Sequence, residues 1–518
     1  MAIKRYVASA DSTITNAFKS DLTTRGTGSN MGLADILETF TIYGQANSAS
    51  LEKARVLVNF PVSTITTDRS AGTIPGSGSV SFYLRLFNAE HGQTLPRSST
   101  LEIKTVLSAS WEEGFGLDME GYTDATRDST GVNWINAEEG TAWLNEGGDY
   151  SDPDMDASSS FTQSLTEGDE DIEVDVTTLV EQWVNSAGNV LGSKSTYGLG
   201  VMFSSSHESA TRSFYTKKFF ARSSEFFFKR PVLEARWDSS KKDDRAKVYY
   251  SSSLVSGEDN LNTIYLYNYI RGHLRDLPHD SLKNTSDTVY VSFFSGNAVN
   301  SEPNSIPLHL PAGGGVASAN DRNVTGSRVS TGIYKAKFAL TSAKTPVGTV
   351  YDVWHNSHSS DGGGADHLDF GEIQFKTGSF KPRRIDSYDI APTDTYVTSI
   401  TNLRKSYATD ETARFRLYVR PKDWNPTAYS VASSEAENTT IDSGSFRVFR
   451  VIDDYEAVAY GTGSDLHTMM SHDLSGNYFD LDMSLLEPDY MYGVRFAYYN
   501  GSVGDWMEQP EVFKFRVE

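Results

Sequence analysis

The chain lacks several features on which whole classes of proteins depend. It has 518 residues and no cysteine, which excludes disulfide frameworks, cysteine-ligated zinc, iron–sulfur clusters and thiol nucleophiles. It has no run of about eighteen apolar residues, the length that a transmembrane helix needs. Its first residues, MAIKRYVASADSTITNAF, lack the apolar stretch of a secretory signal, so we expect synthesis in a cytoplasm.

Basic residues are scarce as well. The chain has 46 Lys and Arg against 68 Asp and Glu, and its formal net charge is −22. Between Trp111 and Asp175 there are 19 acidic residues and a single basic one, Arg127, so most of the charge lies in this segment. Because phosphate binding requires clustered Lys and Arg, the balance argues against nucleic acid as a direct ligand.

Aromatic residues, by contrast, make up 12% of the chain. They occur in short segments bounded by Gly, Ser, Asn and Asp, a pattern that predicts strands. The length predicts roughly three domains, and polar segments at Asp238–Arg245 and Lys381–Arg384 suggest where they are joined. We therefore expect an all-β, multi-domain protein with β-sandwiches in residues 1–238, 239–382 and 383–518.

The first domain contains the clearest pattern. Its predicted strands are Tyr6–Ala8, Thr39–Tyr43, Ala54–Phe60, Val80–Phe87, Leu101–Leu107, Ile172–Val176, Gly198–Phe203 and Val232–Trp237. One helix is predicted after Asp175, because Val176, Leu179, Val180 and Trp183 share a helical face. We expect this helix to cover the core of the sandwich. Residues 111–171 are rich in Gly and Asp and are predicted to form a long acidic insertion.

The second and third domains contain pairs of similar segments. Ile264–Arg271 is similar to Phe415–Arg420, and Gly332–Phe338 is similar to Gly493–Tyr498. The two domains are therefore interpreted as two copies of one immunoglobulin-like sandwich. A shared β composition without a repeat explains the same similarity.

Nine segments of the first domain occur in an order that is typical of a known family. They are Ala10–Ile14, Phe40–Tyr43, Ala54–Phe60, Ser81–Phe87, Trp111–Glu113, Val132–Asn136, Glu173–Trp183, Tyr197–Val201 and Arg230–Arg236. In this respect the domain resembles the DNRLRE (disaggregatase-related) domains, which are grouped with carbohydrate-binding modules. The resemblance implies a jelly-roll-like β-sandwich, often with a structural calcium ion, that grips a glycan or another protein. The chain departs from the family at Pro61, where an Asp is usual.

The combination of such a module with immunoglobulin-like domains, an acidic balance and no cysteine resembles virion structural proteins of tailed phages, notably marine phages. This resemblance implies a non-enzymatic neck, tail, fibre-base or head-decoration component, located in the virion. Its partners would be other virion proteins, further copies of itself as a homo-oligomer, and a cell-surface glycan, with no nucleic acid and no membrane insertion. The alternatives are a free carbohydrate-binding protein and a polysaccharide-degrading enzyme.

Four aromatic residues of the insertion are candidates for a binding site. Trp111, Tyr122, Trp134 and Trp143 could stack on sugar rings or contact a partner protein. They could equally be buried anchors that give the long insertion a small core of its own. Both interpretations are open at the level of the sequence.

Two acidic stretches are candidates for metal binding. Asp149, Asp152, Asp154 and Asp156 could hold calcium, as could Glu167–Asp171, although neither stretch has the spacing of an EF-hand loop. A solvated loop is the alternative.

The segment from His355 to Asp369 is a further candidate for metal binding. Three imidazoles and three carboxylates between His355 and Asp369 could surround a divalent ion, or form a polar loop between strands. No catalytic residues are predicted, because carboxylate pairs arise by chance at this density and no Gly-x-Ser-x-Gly motif occurs near a strand end.

Overall fold

The structure is a computed structural model. It describes residues 2–43, 51–107, 110–117, 131–152, 154, 156–184, 192–210, 212–253, 255–278, 288–296, 308, 310, 323–341, 348–356, 374–384, 395–422, 428, 438–501 and 503–518. Strands dominate these residues and helices are few and short, which confirms the predicted all-β class. None of the described helices is long and apolar enough to cross a membrane.

The chain divides into two compact units. The N-terminal unit contains Ala2–Asp238 together with the short segment Gly463–His467, and the C-terminal unit contains Ser239–Thr462 and Thr468–Glu518. The predicted boundary between residues 382 and 383 lies inside the C-terminal unit and stays a prediction.

The N-terminal unit consists mainly of strands with three short helices. The strands are β1 (Ile3–Val7), β2 (Ala10–Thr15), β3 (Ile36–Tyr43), β4 (Leu51–Asn59), β5 (Ser81–Leu86), β6 (Ser99–Thr105), β7 (Asn136–Glu138), β8 (Thr141–Ala142), β9 (Ser160–Leu165), β10 (Ile172–Asp175), β11 (Leu199–Phe203), β12 (Phe214–Phe220) and β13 (Val232–Arg236). The helices are α1 (Val62–Ser70), α2 (Thr177–Val184) and α3 (Ser205–Glu208).

Eight of these strands form a jelly roll. One sheet has the order β1-β13-β5-β10, and the other contains the order β4-β11-β6-β9. All neighbouring pairs in these two runs are antiparallel. The chain passes repeatedly from one sheet to the other, as in a jelly roll of two Greek keys. Strands β2, β3 and β12 extend the second sheet beyond β4, so the predicted jelly-roll-like sandwich is confirmed.

The core between the sheets follows from alternation along the strands. In β5, Phe82, Leu84 and Leu86 are fully buried in it, because every second side chain of a strand lies on the same face. The apolar face of α2, with Leu179 and Trp183, packs against the same core, as the helical spacing predicts.

Helix α1 was not predicted. Its sequence, VSTITTDRS, is rich in β-branched residues, which disfavour helices. Tertiary contacts override this preference. Val62 and Ile65 join the core, and Arg69 donates two hydrogen bonds of 2.7 and 2.6 Å to the carboxylate of Glu181 on α2.

The C-terminal unit contains two sandwiches. The strands of the first are β14 (Tyr250–Ser251), β15 (Asn262–Tyr267), β16 (Tyr269–Ile270), β17 (His273–Leu274), β18 (Val289–Gly296), β19 (Asn323–Ser330), β20 (Ile333–Phe338), β21 (Leu340–Thr341), β22 (Thr349–His355) and β23 (Gln374–Phe380). The strands of the second are β24 (Tyr396–Ile400), β25 (Ser406–Tyr407), β26 (Thr412–Pro421), β27 (Gly444–Arg450), β28 (Glu456–Val458), β29 (Ser471–Asp473), β30 (Gly476–Asp482), β31 (Met491–Asn500), β32 (Asp505–Glu508) and β33 (Phe513–Val517).

Both sandwiches are immunoglobulin-like in strand order. In the last one, β24-β26-β30-β29 corresponds to the A-B-E-D sheet, and β33-β31-β27 corresponds to the G-F-C sheet. In the preceding one, β19 pairs with β18 through its first half and with β20 through its second half, and so joins the two layers. Stacked phenylalanines fill the cores, with ring centroids 4.2 Å apart for Phe293 and Phe338 and 4.3 Å apart for Phe446 and Phe479.

The segment Asp238–Arg245, interpreted from the sequence as a linker, is an ordered part of the fold from Lys241 onward. The backbone N–H of His472 on β29 donates to the carbonyl of Lys241 (3.1 Å), and the N–H of Asp243 donates to the carbonyl of His472 (3.0 Å). Arg245 is buried and donates to the carboxylates of Asp352 (2.7 Å) and Asp243 (2.6 Å). The segment follows directly on the boundary between the two units at Asp238, and the linker interpretation stays a prediction. Its charged run is ordered because buried partners neutralise it.

Arg245→Met should destabilise the C-terminal unit strongly. The substitution leaves the fully buried carboxylate of Asp352 without its guanidinium, and removing one partner of a buried ion pair costs about 3–5 kcal/mol. Arg328→Met is the control, because its pair with Asp276 is 34% and 43% exposed and should contribute less than about 1 kcal/mol. Urea unfolding measures both changes, and equal losses would contradict the role given to Arg245.

Candidate functional site

A buried amide, that of Asn30, is one of the contacts that attach the acidic insertion to the jelly roll. Its Nδ2 donates to the carbonyls of Glu113 and Val132, both at 2.8 Å, and its Oδ1 accepts from the N–H of Gly116 at 2.9 Å. Asn30 is fully buried. It therefore holds the segment from Glu113 to Gly116 beside Val132.

Glycine is required where the insertion passes Asn30. A Cβ on Gly116 would lie 1.7 Å from the carbonyl oxygen of Asn30, and a Cβ on Gly131, whose φ is +96°, would lie 2.7 Å from its Nδ2. No side chain can be accommodated at these distances, so Gly116 and Gly131 permit the close approach of the two backbones.

A carboxylate cluster lies beside this attachment. Asp11, which is 1% exposed, accepts from the backbone N–H of Arg222 at 2.6 Å, while its own N–H donates to Glu113 at 2.9 Å. Arg222 also donates to the carboxylate of Glu113 at 2.6 Å. Burial, together with the negative charge of Glu113, raises the pKa of Asp11 to about 7 despite the hydrogen bond from Arg222.

Two of the four candidate aromatic residues are buried. Trp134 and Trp143 are 5% and 6% exposed and pack with Ile14, Leu57 and Val106 in a small core beneath the insertion. The indole N–H of Trp143 donates to the carbonyl of Asn133 at 3.0 Å. This arrangement favours the interpretation of these two residues as anchors, since their rings offer little surface to a ligand.

The other two aromatic candidates differ from this pair. Trp111 is partly buried at the edge of the same small core, and its indole N–H donates to the carbonyl of Tyr197 at 2.8 Å. Tyr122 lies outside the described residues. A binding role for either residue stays a prediction.

Arg55 of the jelly roll contacts the small core that contains Trp134 and Trp143. From β4 its guanidinium lies 5.2 Å from the ring centroid of Trp134 and donates to the carbonyl of Gly147 at 2.8 Å. It also pairs with Glu208 of α3 through contacts of 2.9 and 2.5 Å. Sequence reasoning missed this residue, although a single Arg in the apolar strand segment Ala54–Phe60 was the available signal.

The four candidate calcium ligands are not gathered around one point. Asp149 is buried and accepts hydrogen bonds from the N–H groups of Leu144 and Asn145, both at 2.8 Å. Asp156 forms an ion pair with Lys194, and Asp152 accepts from the N–H of Asp154 at 2.9 Å. Against the effect of burial, the hydrogen bond with Lys194 lowers the pKa of Asp156.

These contacts do not suit a metal ion. N–H groups and an ammonium group already occupy carboxylate oxygens that calcium would need. Within the described ranges, no group of three or more His, Asp or Glu side chains is arranged to hold a metal. The structure thus does not bring Asp149, Asp152, Asp154 and Asp156 together as a site.

In the second acidic stretch, Glu167–Asp171, the positive charge that contacts the backbone is the ammonium of Lys217. Lys217 on β12 is fully buried, and its Nζ donates to Asn88 Oδ1 (2.7 Å) and to the carbonyls of Glu170 (2.7 Å) and Gly168 (3.0 Å). Burial lowers the pKa of Lys217 to about 8. The Glu170 carboxylate accepts three backbone N–H groups of its own turn, which bring its pKa down to about 2 against the opposing effect of burial.

Of the His355–Asp369 cluster, only the beginning lies within the described residues. His355 is 2% exposed, and its Nε2 lies 2.9 Å from the hydroxyl of Ser292 on the neighbouring strand. Residues 357–373 lie outside the described part of the chain. A metal site in this segment stays a prediction.

The fold defines an all-β protein made of a jelly roll and two immunoglobulin-like sandwiches. No protein-family model matches the chain, and no curated protein matches it in sequence. Among solved structures, it is similar to the Ig1-2 module of the Drosophila receptor protein tyrosine phosphatase DLAR, at 7% identity and a TM-score of 0.14 over 54% of this chain and 95% of that one.

Two further solved structures are similar at the same level. Tandem Ig repeats of Dlar match at 7% identity and a TM-score of 0.12, over 45% of this chain and 88% of that one. Native Escherichia coli alpha-2-macroglobulin matches at 8% identity and a TM-score of 0.15, over 94% of this chain and 20% of that one. TM-scores this low support no conclusion, so the immunoglobulin-like assignment rests on strand order.

Asn30→Ala should loosen the acidic insertion. The substitution leaves the carbonyls of Glu113 and Val132 without their donor, and unsatisfied buried groups of this kind cost about 1–3 kcal/mol each. We expect a lower melting temperature and faster proteolysis within residues 111–171. Asn402→Ala is the matched control, because Asn402 makes the same type of amide bridge, to Arg414 and Arg416, on an exposed surface. Equal effects of the two substitutions would contradict the role of Asn30.

Asp11→Asn should change how stability depends on pH. Because the pKa of Asp11 is raised to about 7, the folded protein binds more protons than the unfolded chain between about pH 4 and pH 7, and stability falls as pH rises through this window. The variant lacks this contribution. Its melting temperature should therefore gain on that of the wild type between about pH 4.5 and pH 8.

Asp489→Asn serves as the control for this titration, because the Asp489 side chain is 83% exposed. It should follow the wild-type pH profile. Parallel melting curves for the wild type and Asp11→Asn over the whole range would show that the carboxyl of Asp11 titrates normally.

Proposed function

We propose that the protein is a non-enzymatic structural component of a tailed-phage virion, in the neck, tail, fibre base or head decoration, and that it assembles through protein–protein interfaces. The proposal rests on the hydrogen bonds that hold the polar connecting segments of the C-terminal unit in place. Both polar segments that the sequence places between domains are hydrogen-bonded to neighbouring strands.

The second of these segments is held in the same way as the first. The N–H of Arg383 donates to the carbonyl of Val248, and the N–H of Tyr250 donates to the carbonyl of Arg383, both at 2.8 Å. Lys241 and Asp243 pair with His472 of the second immunoglobulin-like sandwich, and both sandwiches belong to one compact unit. Polar segments held by hydrogen bonds in this way suit a component of an assembly, whereas a tethered binding module needs only a flexible linker.

An exposed aromatic and basic surface on the N-terminal unit supports assembly. Phe226 and Phe227 are 48% and 56% exposed. The ammonium of Lys229 lies 5.8 Å from the ring centroid of Phe226, and the guanidinium of Arg230 lies 5.3 Å from that of Phe227. Exposed aromatic side chains beside Arg are typical of the centre of protein interfaces. We call Phe226, Phe227, Lys229 and Arg230 the aromatic-basic surface and propose that a virion protein, or a second copy of the chain, covers it.

Sedimentation with particles tests the structural role. Phage particles assembled in cells that express the full chain should carry it at a fixed copy number after density-gradient purification. Phe226→Ser with Phe227→Ser should reduce incorporation about tenfold or more, as is usual when aromatic anchors are lost. Ile452→Ser is the control, because Ile452 is 78% exposed outside this surface. A chain that stays in the supernatant and binds a glycan array would instead indicate a free carbohydrate-binding protein, and release of reducing sugar from polysaccharide would indicate an enzyme.

A further inference from the structure

A cleft of about 310 Å³ opens in the C-terminal unit at the place where strand β30 of the last sandwich begins, and Ala246 also lines it. Strand β30 pairs with β26 only as far as Asn477, opposite Leu417. Beyond this point β26 pairs with other groups. The N–H of Val419 donates to the side-chain oxygen of Asn438, and the N–H of Thr439 donates to the carbonyl of Val419. The change of partner leaves a recess whose lining includes Arg416, Tyr418, Thr440, Asp473 and Ser475.

The charged groups of the cleft are held in place before any ligand arrives. Arg416 donates from Nη1 to Asp473 Oδ1 at 2.7 Å, and its guanidinium lies 4.8 Å from the ring centroid of Tyr478. The same carboxylate oxygen accepts from the N–H of Ser475 at 2.8 Å, which fixes the turn between β29 and β30. The two side chains are 29% and 23% exposed, so solvent reaches both.

Hydrogen-bonding capacity remains in the cleft. Within the described ranges, the second carboxylate oxygen of Asp473 has no donor, and the hydroxyls of Tyr418 and Thr440 have no partner. The amide of Asn438 is, by contrast, used by Val419 and Leu417. The recess thus combines a fixed acceptor, a fixed donor and hydroxyl groups that can act as either.

This combination points to the class of ligand. A guanidinium beside a carboxylate matches a pair of adjacent hydroxyls, one of which accepts from Arg416 while the other donates to Asp473. The charges of the pair cancel, so an anion gains little and is repelled by Asp473. The volume is at the lower end of the range of small-ligand sites, about 300–1,000 Å³, and suits a single sugar ring.

We propose that this cleft binds one neutral sugar residue of a surface glycan. The site lies in a different unit from the aromatic residues of the acidic insertion. It adds a ligand to the proposed structural role and does not depend on it, because incorporation into particles and sugar binding are measured separately.

Saturation-transfer NMR on the full chain tests the proposal, with glucose, galactose, mannose and N-acetylglucosamine as neutral probes and glucuronic acid as the charged probe. At least one neutral sugar should receive saturation, and glucuronic acid should receive less. Asp473→Asn and Tyr418→Phe should each weaken binding about tenfold, the usual effect of losing one hydrogen bond to a charged or well-placed group.

Asp480→Asn is the matched control. Asp480 on β30 pairs at 2.7 and 2.9 Å with Arg414 on β26, the strand that also carries Arg416. The guanidinium of Arg414 lies over the ring of the same Tyr478, but neither Asp480 nor Arg414 lines the cleft. This variant should bind as the wild type does. If Asp473→Asn fails to fold, Tyr418→Phe decides alone, since it removes one oxygen from a partly exposed side chain.

Three results would overturn the proposal. They are the absence of saturation transfer to every neutral probe, preferential binding of glucuronic acid, and binding that survives both Asp473→Asn and Tyr418→Phe. In none of these cases is the structural role affected, because Asp473→Asn should enter particles at the wild-type copy number whether or not the cleft binds sugar.

Discussion

A buried polar side chain must find hydrogen-bond partners, and this requirement organises the protein. With no disulfide available, the long connections of the chain are held by single buried residues that bond to the backbone. Asn30 joins two segments of the acidic insertion, at Glu113 and Val132, and Lys217 bonds to the acidic turn at Gly168 and Glu170. Arg245 holds a charged segment against the first immunoglobulin-like sandwich. Each of these residues bonds to backbone carbonyls, so each restrains the path of the chain itself.

The acidic insertion shows how this works under electrostatic repulsion. The segment from Trp111 to Asp175 contains 19 acidic residues, and like charges so close together oppose ordering. The described part of the segment is nevertheless anchored, because its base contains cations supplied by the jelly roll, namely Arg55, Arg222 and Lys217. The negative charge of the described part is thereby held on an anchored support.

Hydrogen bonding of buried polar groups also connects the structure with the proposed role. In the C-terminal unit, backbone hydrogen bonds and the Arg245–Asp352 pair remove the freedom that polar connecting segments normally have. Both sandwiches belong to one compact unit. The cleft beside Arg416 arises from the same packing, because the turn that carries Asp473 is fixed by its own hydrogen bonds.

The sequence by itself determined the all-β class, most strands and helix α2, because alternation and helical spacing are local properties. It missed β9, which is largely polar, and β12, in which Lys217 occupies a buried position, because both depend on partners distant in the chain. It identified the candidate residues of the insertion but left open whether Trp134 and Trp143 are anchors or ligand contacts, and burial decided this in favour of anchors. Asn30, Arg55 and the cleft at Arg416 were found only in the tertiary structure. Their roles arise from groups that are up to 153 residues apart in the chain, and no local pattern contains that information.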